Sequence, residues 1–489
     1  MYGDLTAKTF PSGFGIIQAY DANGYLTQIK NANNTPLYTN NGLSGLGVNT
    51  NYALGNGKTS TVNHFFGMPT QYSTAGVQDL LLTWNYASGN LTQRKDNIKG
   101  REENFSYDNL NRLSSAQVVG QAALTMNYGN IGNIDFKTDA GAYTYHPTKP
   151  NAVTFVTNPQ SVVPSLQQHI SYTAFAQPAG LVENNYALTY TYGSDYNRLR
   201  AITQQNGSEI NRRYYFGDYE KDVTGGATKH LHYISSPAGL IAIVVRESGS
   251  DTYYYTYTDH LGSILTVTDN GGTIVGEQSF DAWGRYRDPG TWIPLTTPPS
   301  GVGGLTWLTR GYTGHEHLRP FGLINMNGRL YDPALGRVLS PDNYVVGSSE
   351  TQAYNRYTYA LNNPLAYNDP DGNHPVAIAF MVGIFVNLAQ HMIQGTVPNN
   401  VWDFVKPGVI AAATTALGPV FGIAGKSAAG ILAPNATPFV QGIVANAISY
   451  SLSSAFSMGI SGGNIGRGFL QGLATGSVTS LIGLNHANP

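Results

Sequence analysis

The sequence predicts a mainly β protein, a continuous sheet of repeated hairpins that coils or closes, followed by a C-terminal α-helical, Gly/Ala-rich segment. Three observations carry this: a composition of turn formers and tyrosine, a repeat of about twenty residues, and a change of character after Gly372.

Of 489 residues, 57 are Gly and 33 Tyr, against 5 Trp, and charged residues make up only 11%. Tyrosine fits a pleated, half-buried surface, and glycine supplies the positive φ of tight turns. The formal net charge is −2 with no basic block, so the repeats offer nothing to a nucleic-acid backbone. Cysteine is absent, which excludes disulfides, zinc–thiolate sites and a cysteine nucleophile. The opening Met1-Tyr2-Gly3-Asp4-Leu5-Thr6 has neither a basic nor an apolar leader pattern, so no signal peptide is expected. The repeat begins so early that the chain reads as a candidate piece of something longer.

The repeat unit is Tyr20-Asp21-Ala22-Asn23-Gly24-Tyr25-Leu26, echoed at Tyr86 to Leu91, Tyr107-Asp108 to Leu113, Tyr128 to Ile134 and Tyr192 to Leu199. Tyr86, Tyr107 and Tyr128 are each 21 residues apart. An aromatic residue closes one strand, an Asp/Asn/Gly cluster turns the chain, and an aliphatic residue opens the next. One such hairpin is marginal in water, so neighbouring units must pair edge to edge into a sheet that coils or closes. Tyr20, Asp21, Gly24, Tyr107, Asp108, Tyr128 and Tyr192 are its structural positions. An ordinary β-sandwich with regular turns is the competing arrangement.

At these residues the chain resembles the Rhs/YD-repeat family, which includes Tc-toxin C components and teneurin shells. The resemblance implies a spiral sheet around a hollow cocoon. It sharpens downstream, where Tyr253-Tyr254-Tyr255 and Asp259-His260-Leu261-Gly262 look like the opening of an Rhs repeat-associated core. Phe280 to Arg285, Tyr312 to His317, Gly322 to Tyr331-Asp332-Pro333, Gly336 to Asp342 and Asn362 to Pro370-Asp371-Gly372 follow in the family's order. The wording around Leu323 to Val345 is similar to the Bacteroidetes branch. Residues 1–252 are accordingly expected to be repeats, 253–373 the core that plugs one end of the shell, and 374–489 a variable pre-toxin or effector region.

The resemblance also implies an aspartyl autoprotease, with acids at Asp342 and Asp369 and an arginine at Arg337. One carboxylate would activate water while a second, protonated, serves the leaving amide. The sequence departs from the self-cleaving pattern at Asn343, where proline is usual, and at Asn373, where leucine is common. Plain turn and strand-end roles for these aspartates stay open. His315-Glu316-His317 lacks a third ligand at a telling spacing and reads as a turn, and Asp259-His260 as a structural hydrogen-bonding pair. No metal and no cofactor is expected.

From Pro375 onward the charges are Asp403, Lys406, Lys426 and Arg467 alone, and Gly468, Gly472, Gly476 and Ser480 recur every four residues. That stripe suits close helix packing, inside the shell or, alternatively, in a membrane. The function implied is a shell that encapsulates or presents a C-terminal effector in contact-dependent toxin delivery between bacteria. Its partners would be its own C-terminal segment or cargo, a secretion apparatus, a chaperone and an immunity protein. The protein would then be secreted or displayed at the cell surface. A surface adhesion or carbohydrate-binding protein, and a pore-forming toxin acting through the apolar tail, are the alternatives.

Overall fold

The computed structural model describes residues 5–22, 24–44, 49–65, 67–164, 167–342, 351–372 and 376–377. Two meandering antiparallel sheets dominate, one of 15 strands from Ala7–Thr9 to Lys149–Val156, the other of 11 from His169–Tyr172 to Ile274–Glu277. In both, every strand pairs with its neighbours in sequence, which is the edge-sharing that the repeat requires.

The repeat turns share one local geometry. In Asp21–Tyr25, Asp108–Arg112, Gly129–Asn133, Gly193–Asn197 and Asp259–Ser263, the first N–H donates to the fifth carbonyl and the fourth N–H to the first carbonyl. The fourth residue takes positive φ: Gly24 at 85°, Asn111 at 58°, Gly132 at 77°, Tyr196 at 63° and Gly262 at 81°. Where the first residue is aspartate, its Oδ1 accepts backbone N–H groups inside the turn, from Leu110 and Arg112 for Asp108, and from Leu261 and Ser263 for Asp259. The residue just before the turn sits at a β-bulge, as at Tyr20, Tyr107, Tyr128 and Tyr192.

The motif tyrosines tie one unit to the previous one. Tyr107 Oη donates to Leu91 O at 2.7 Å, Tyr128 Oη to Leu113 O at 2.5 Å and Tyr192 Oη to Pro178 O at 2.6 Å. Tyr20 Oη reaches Leu5 O at 3.1 Å. Of the acceptors, Leu113 and Pro178 open a strand after the preceding repeat turn, and Leu91 is the second residue of one. Burial raises all three of these phenols, Tyr192 to about 12.

The spiral winds inward. The turns along one margin of the first sheet meet the second sheet and then the segment beyond it. Ser12 bonds His232, Asn31 bonds Tyr253, Asn56 bonds Tyr257, Lys99 pairs with Glu277, and Asp139 pairs with Arg285. In strands Ala227–Ser236 and Gly239–Glu247 alternate residues serve opposite layers. Ile234, Ala242 and Val244 pack with Phe10, Phe14, Ile29 and Leu37 of the first sheet. Leu231, Tyr233, Ile243 and Val245 pack with Val302, Trp307 and Leu308. Burial on both faces explains why Leu240 to Val245 is apolar without a break.

The hollow expected from the repeats is filled at this end. Leu82, Trp84, Phe105, Met126 and Tyr143 of the first sheet pack on Phe280, Trp283, Tyr312, Tyr331 and Tyr359. Leu188, Tyr190 and Tyr215 of the second pack on Leu318, Phe321 and Leu323. The described residues from Ser279 to Gly372 thus form a plug packed on both sheets. Its boundary with the repeats is not at 252/253, because Ser250–Thr258 is one strand and the ladder runs on to Glu277. The sheet breaks instead between Val156 and His169. The expected helical tail lies outside the described residues, except that Val376–Ala377 is a strand paired with Tyr367–Asn368 rather than the start of a helix.

Removing one tyrosine hydroxyl should loosen the coupling between units without changing the turn. Tyr128→Phe removes the phenol donor to the buried Leu113 carbonyl and should cost about 1–2 kcal/mol, read as a lower urea midpoint at unchanged m-value.

Candidate functional site

The plug holds the sequence-predicted acids close together, and the arginine that joins them is Arg329. Its Nη2 lies 3.0 Å from Asp342 Oδ2 and 2.9 Å from Asp369 Oδ2, with all three residues buried. Arg329 Nη1 also donates to Arg356 O at 3.3 Å, and Asp342 N donates to Arg356 O at 2.9 Å. Arg329 immediately precedes strand Leu330–Asp332, which pairs on both sides and fixes where that guanidinium emerges.

Arg337, the arginine that the resemblance pointed to, has a different set of described partners. Strand Arg337–Val338 faces it toward a repeat turn of the first sheet, where its guanidinium donates to Asn133 Oδ1, Asn151 O, Asn355 Oδ1 and Thr358 Oγ1. Neutral acceptors surround it, and burial lowers its pKa. Through these contacts it fastens the plug to the wall. The sequence signal for Arg329 was its place just before the Leu330-Tyr331-Asp332 strand. Motif position alone could not rank it above Arg337.

The Asp369-Pro370-Asp371-Gly372 segment is gripped carbonyl by carbonyl. Pro370 O accepts from His315 Nε2 at 3.1 Å and Asn327 Nδ2 at 3.2 Å, Asp371 O from Gly328 N at 2.9 Å, and Gly372 O from Arg329 Nε. Gly372 has φ +73°, and a Cβ there would lie 2.2 Å from Met326 O and 2.9 Å from Gly328 N. Only glycine fits. The carbonyl of Gly372 therefore touches the same guanidinium that holds both acids. Asn343 and Asn373, the two departures from the self-cleaving pattern, lie outside the described residues.

The remaining motif residues are structural. Asp259 caps its own turn, while His260 reaches Leu365 O at 3.0 Å and stands edge-on to Trp84, so the two bond elsewhere rather than to each other. Leu261 is buried in the central core, beside the turn glycine Gly262. Tyr331 Oη donates to Trp283 O at 2.7 Å. Asp332 caps the turn through Pro333, accepting from Ala334 N and Leu335 N, and burial raises its carboxyl to about 6. Gly336, at φ +65°, packs on Trp283, where a Cβ would meet the ring at 3.0 Å.

His315-Glu316-His317 is not the expected turn, since Glu316–Leu318 is a buried strand. Glu316 pairs with Arg198 at 2.8 Å and accepts from Tyr215 Oη at 2.9 Å. Arg213 pairs with Asp222 at 2.7 Å, and Arg310 pairs with Glu220 at 2.5 Å. This buried network joins the second sheet to the plug, and nothing in the linear sequence announced it. Among the described residues, no group of three or more His, Asp or Glu could hold a metal ion, and no helix is long and apolar enough to cross a membrane.

A sheet of tyrosine-linked hairpins wound inward onto its own plug defines a YD-repeat shell protein. The sequence model of the teneurin YD-shell matches residues 83–365, and the chain belongs to that family. It is 28% identical over 190 residues to the tRNA nuclease WapA of Bacillus subtilis strain 168, covering 38% of this chain and 7% of that protein. It is 24% identical over 255 residues to salivary gland surface protein 1 of Aedes aegypti, covering 48% of this chain and again 7% of the relative. The crystal structure of TcdB2-TccC3-Cdc42 superposes with a TM-score of 0.62 at 18% identity, covering 79% of this chain and 22% of that one. TcdB2-TccC3 without its hypervariable C-terminal region gives 0.61 at 17% identity, covering 76% and 21%. The chain therefore spans a small part of each.

The buried His315 sets a pH dependence. Burial lowers its pKa to about 4, whereas an unfolded histidine titrates near 6.5. Between those values the unfolded chain binds more protons, so stability falls as pH drops through the window and returns as it rises. His315→Gln should recover roughly 2 kcal/mol of the loss between pH 7 and pH 5, measured from urea midpoints.

Proposed function

We propose that this chain is the shell-and-plug part of an Rhs-type toxin, holding the segment after Gly372 and detaching it by aspartyl autoproteolysis. The observation that carries this is Arg329, which bridges Asp342 and Asp369 and holds the Gly372 carbonyl with a third nitrogen–hydrogen donor. Arg329 polarises that carbonyl as negative charge develops on its oxygen. One carboxylate takes a proton from water, and the water oxygen attacks the carbonyl carbon. The second, protonated carboxyl gives its proton to the leaving amide nitrogen as the C–N bond breaks. Two acids before a single cation suit this division of labour, because one guanidinium does not neutralise two carboxylates. Delivery between bacteria, through a specialised secretion route and with an immunity partner for the producer, is the setting that accompanies this reading. The change of composition after Gly372, and the hypervariable C-terminal region named for TccC3, support it.

Intact-mass spectrometry of the purified full chain tests the cleavage. The expected result is two fragments cut within one residue of Gly372, and an uncut product from either Asp342→Asn or Asp369→Asn. Arg329→Met should block cutting, whereas Arg337→Met should lower the unfolding midpoint and still cut. Wild-type chain that stays whole after prolonged incubation would remove the autoproteolytic reading.

A further inference from the structure

We infer that His315 and Asn327 are positioning residues that set the register of the cleaved peptide, an inference that rests on the autoproteolytic reading. Both aim a donor at one oxygen, the Pro370 carbonyl, at 3.1 Å and 3.2 Å, so both of its lone pairs are engaged. That oxygen lies two residues before Gly372. With Gly328 N on Asp371 O and Arg329 Nε on Gly372 O, three successive carbonyls are read in order.

Each clamp residue is itself held. His315 is 4% exposed, its Nδ1 lies 2.7 Å from Thr313 Oγ1, and the Pro370 carbonyl, which can only accept, places the hydrogen on Nε2. Burial keeps the imidazole neutral down to about pH 4, so the clamp keeps one protonation state across the physiological range. Asn327 occupies the left-handed region at φ 70°, and its N–H donates to Asn325 Oδ1 at 2.8 Å. Asn325 Nδ2 in turn donates to Tyr190 Oη at 2.8 Å, on strand Tyr186–Tyr192 of the second sheet. The clamp is therefore anchored in the shell wall. The glycine slot at 372 fixes the end of the register, since a side chain there meets backbone atoms.

The test compares full chains carrying His315→Leu with Asn327→Gly, where glycine keeps the left-handed backbone and removes the amide, and His315→Gln, which retains a donor. Timed intact-mass spectra of the double variant should show cutting slowed on the order of tenfold or more, with products from more than one peptide bond. His315→Gln should restore the single position. A loss of global stability alone would slow cutting without moving the cut. In an Asp342→Asn background, hydrogen exchange across 367–372 should be faster in the double variant. Unchanged protection there, or parent-like rate and position in the active chain, overturns the clamp. A parent chain that never cuts overturns the proteolytic reading instead, and the exchange result still decides whether the clamp exists.

Discussion

The architecture depends on a hydroxyl. Tyr107, Tyr128 and Tyr192 each reach back across the sheet to a carbonyl at the start of a strand of the unit before, as Tyr128 does to Leu113. The aspartate-capped turn shapes one hairpin, but a hairpin with no partner is marginal. The phenol supplies the missing link, a hydrogen bond whose donor belongs to one repeat and whose acceptor belongs to the last. Because burial strips water from both ends of that bond, losing it is costly, and the units are held as a series.

Winding such a series inward brings unlike surfaces together, and here charge does part of the joining. Arg94 and Arg287 both pair with Glu103, at 2.8 Å each, across the first sheet and the plug. Arg198, Arg213 and Arg310 do the same for the second sheet through Glu220, Asp222 and Glu316. Buried ion pairs contribute little net stability against apolar packing, but removing one partner strands the other in a dry interior. The seams between wall and plug are therefore specific in position more than strong in energy.

The repeat turns, the edge-to-edge pairing and the ordered plug motifs could be read from residues, because each is local or follows from a fixed spacing. The acid pair was legible too, by its place in the motif series. The arginine was not. Arg329 and Arg337 stand eight residues apart on either side of one hairpin, and only the strand pairing of Asp332 with Arg337 shows which guanidinium faces the acids. The ionic seams were hidden for the same reason. Glu316 and Arg198 are far apart in sequence and meet only once the spiral has closed. How much of the interior the plug fills was not legible, because the repeat dictates how neighbours pair and says nothing of how tightly the coil winds.

The side-chain donors described on the peptide, His315, Asn327 and Arg329, all act at or before the Gly372 carbonyl oxygen, and the described contact beyond it pairs Val376–Ala377 with Tyr367–Asn368 strand to strand. Contacts of both kinds fall on backbone atoms, which any sequence supplies. Side chains downstream of that glycine could therefore change while these contacts persist.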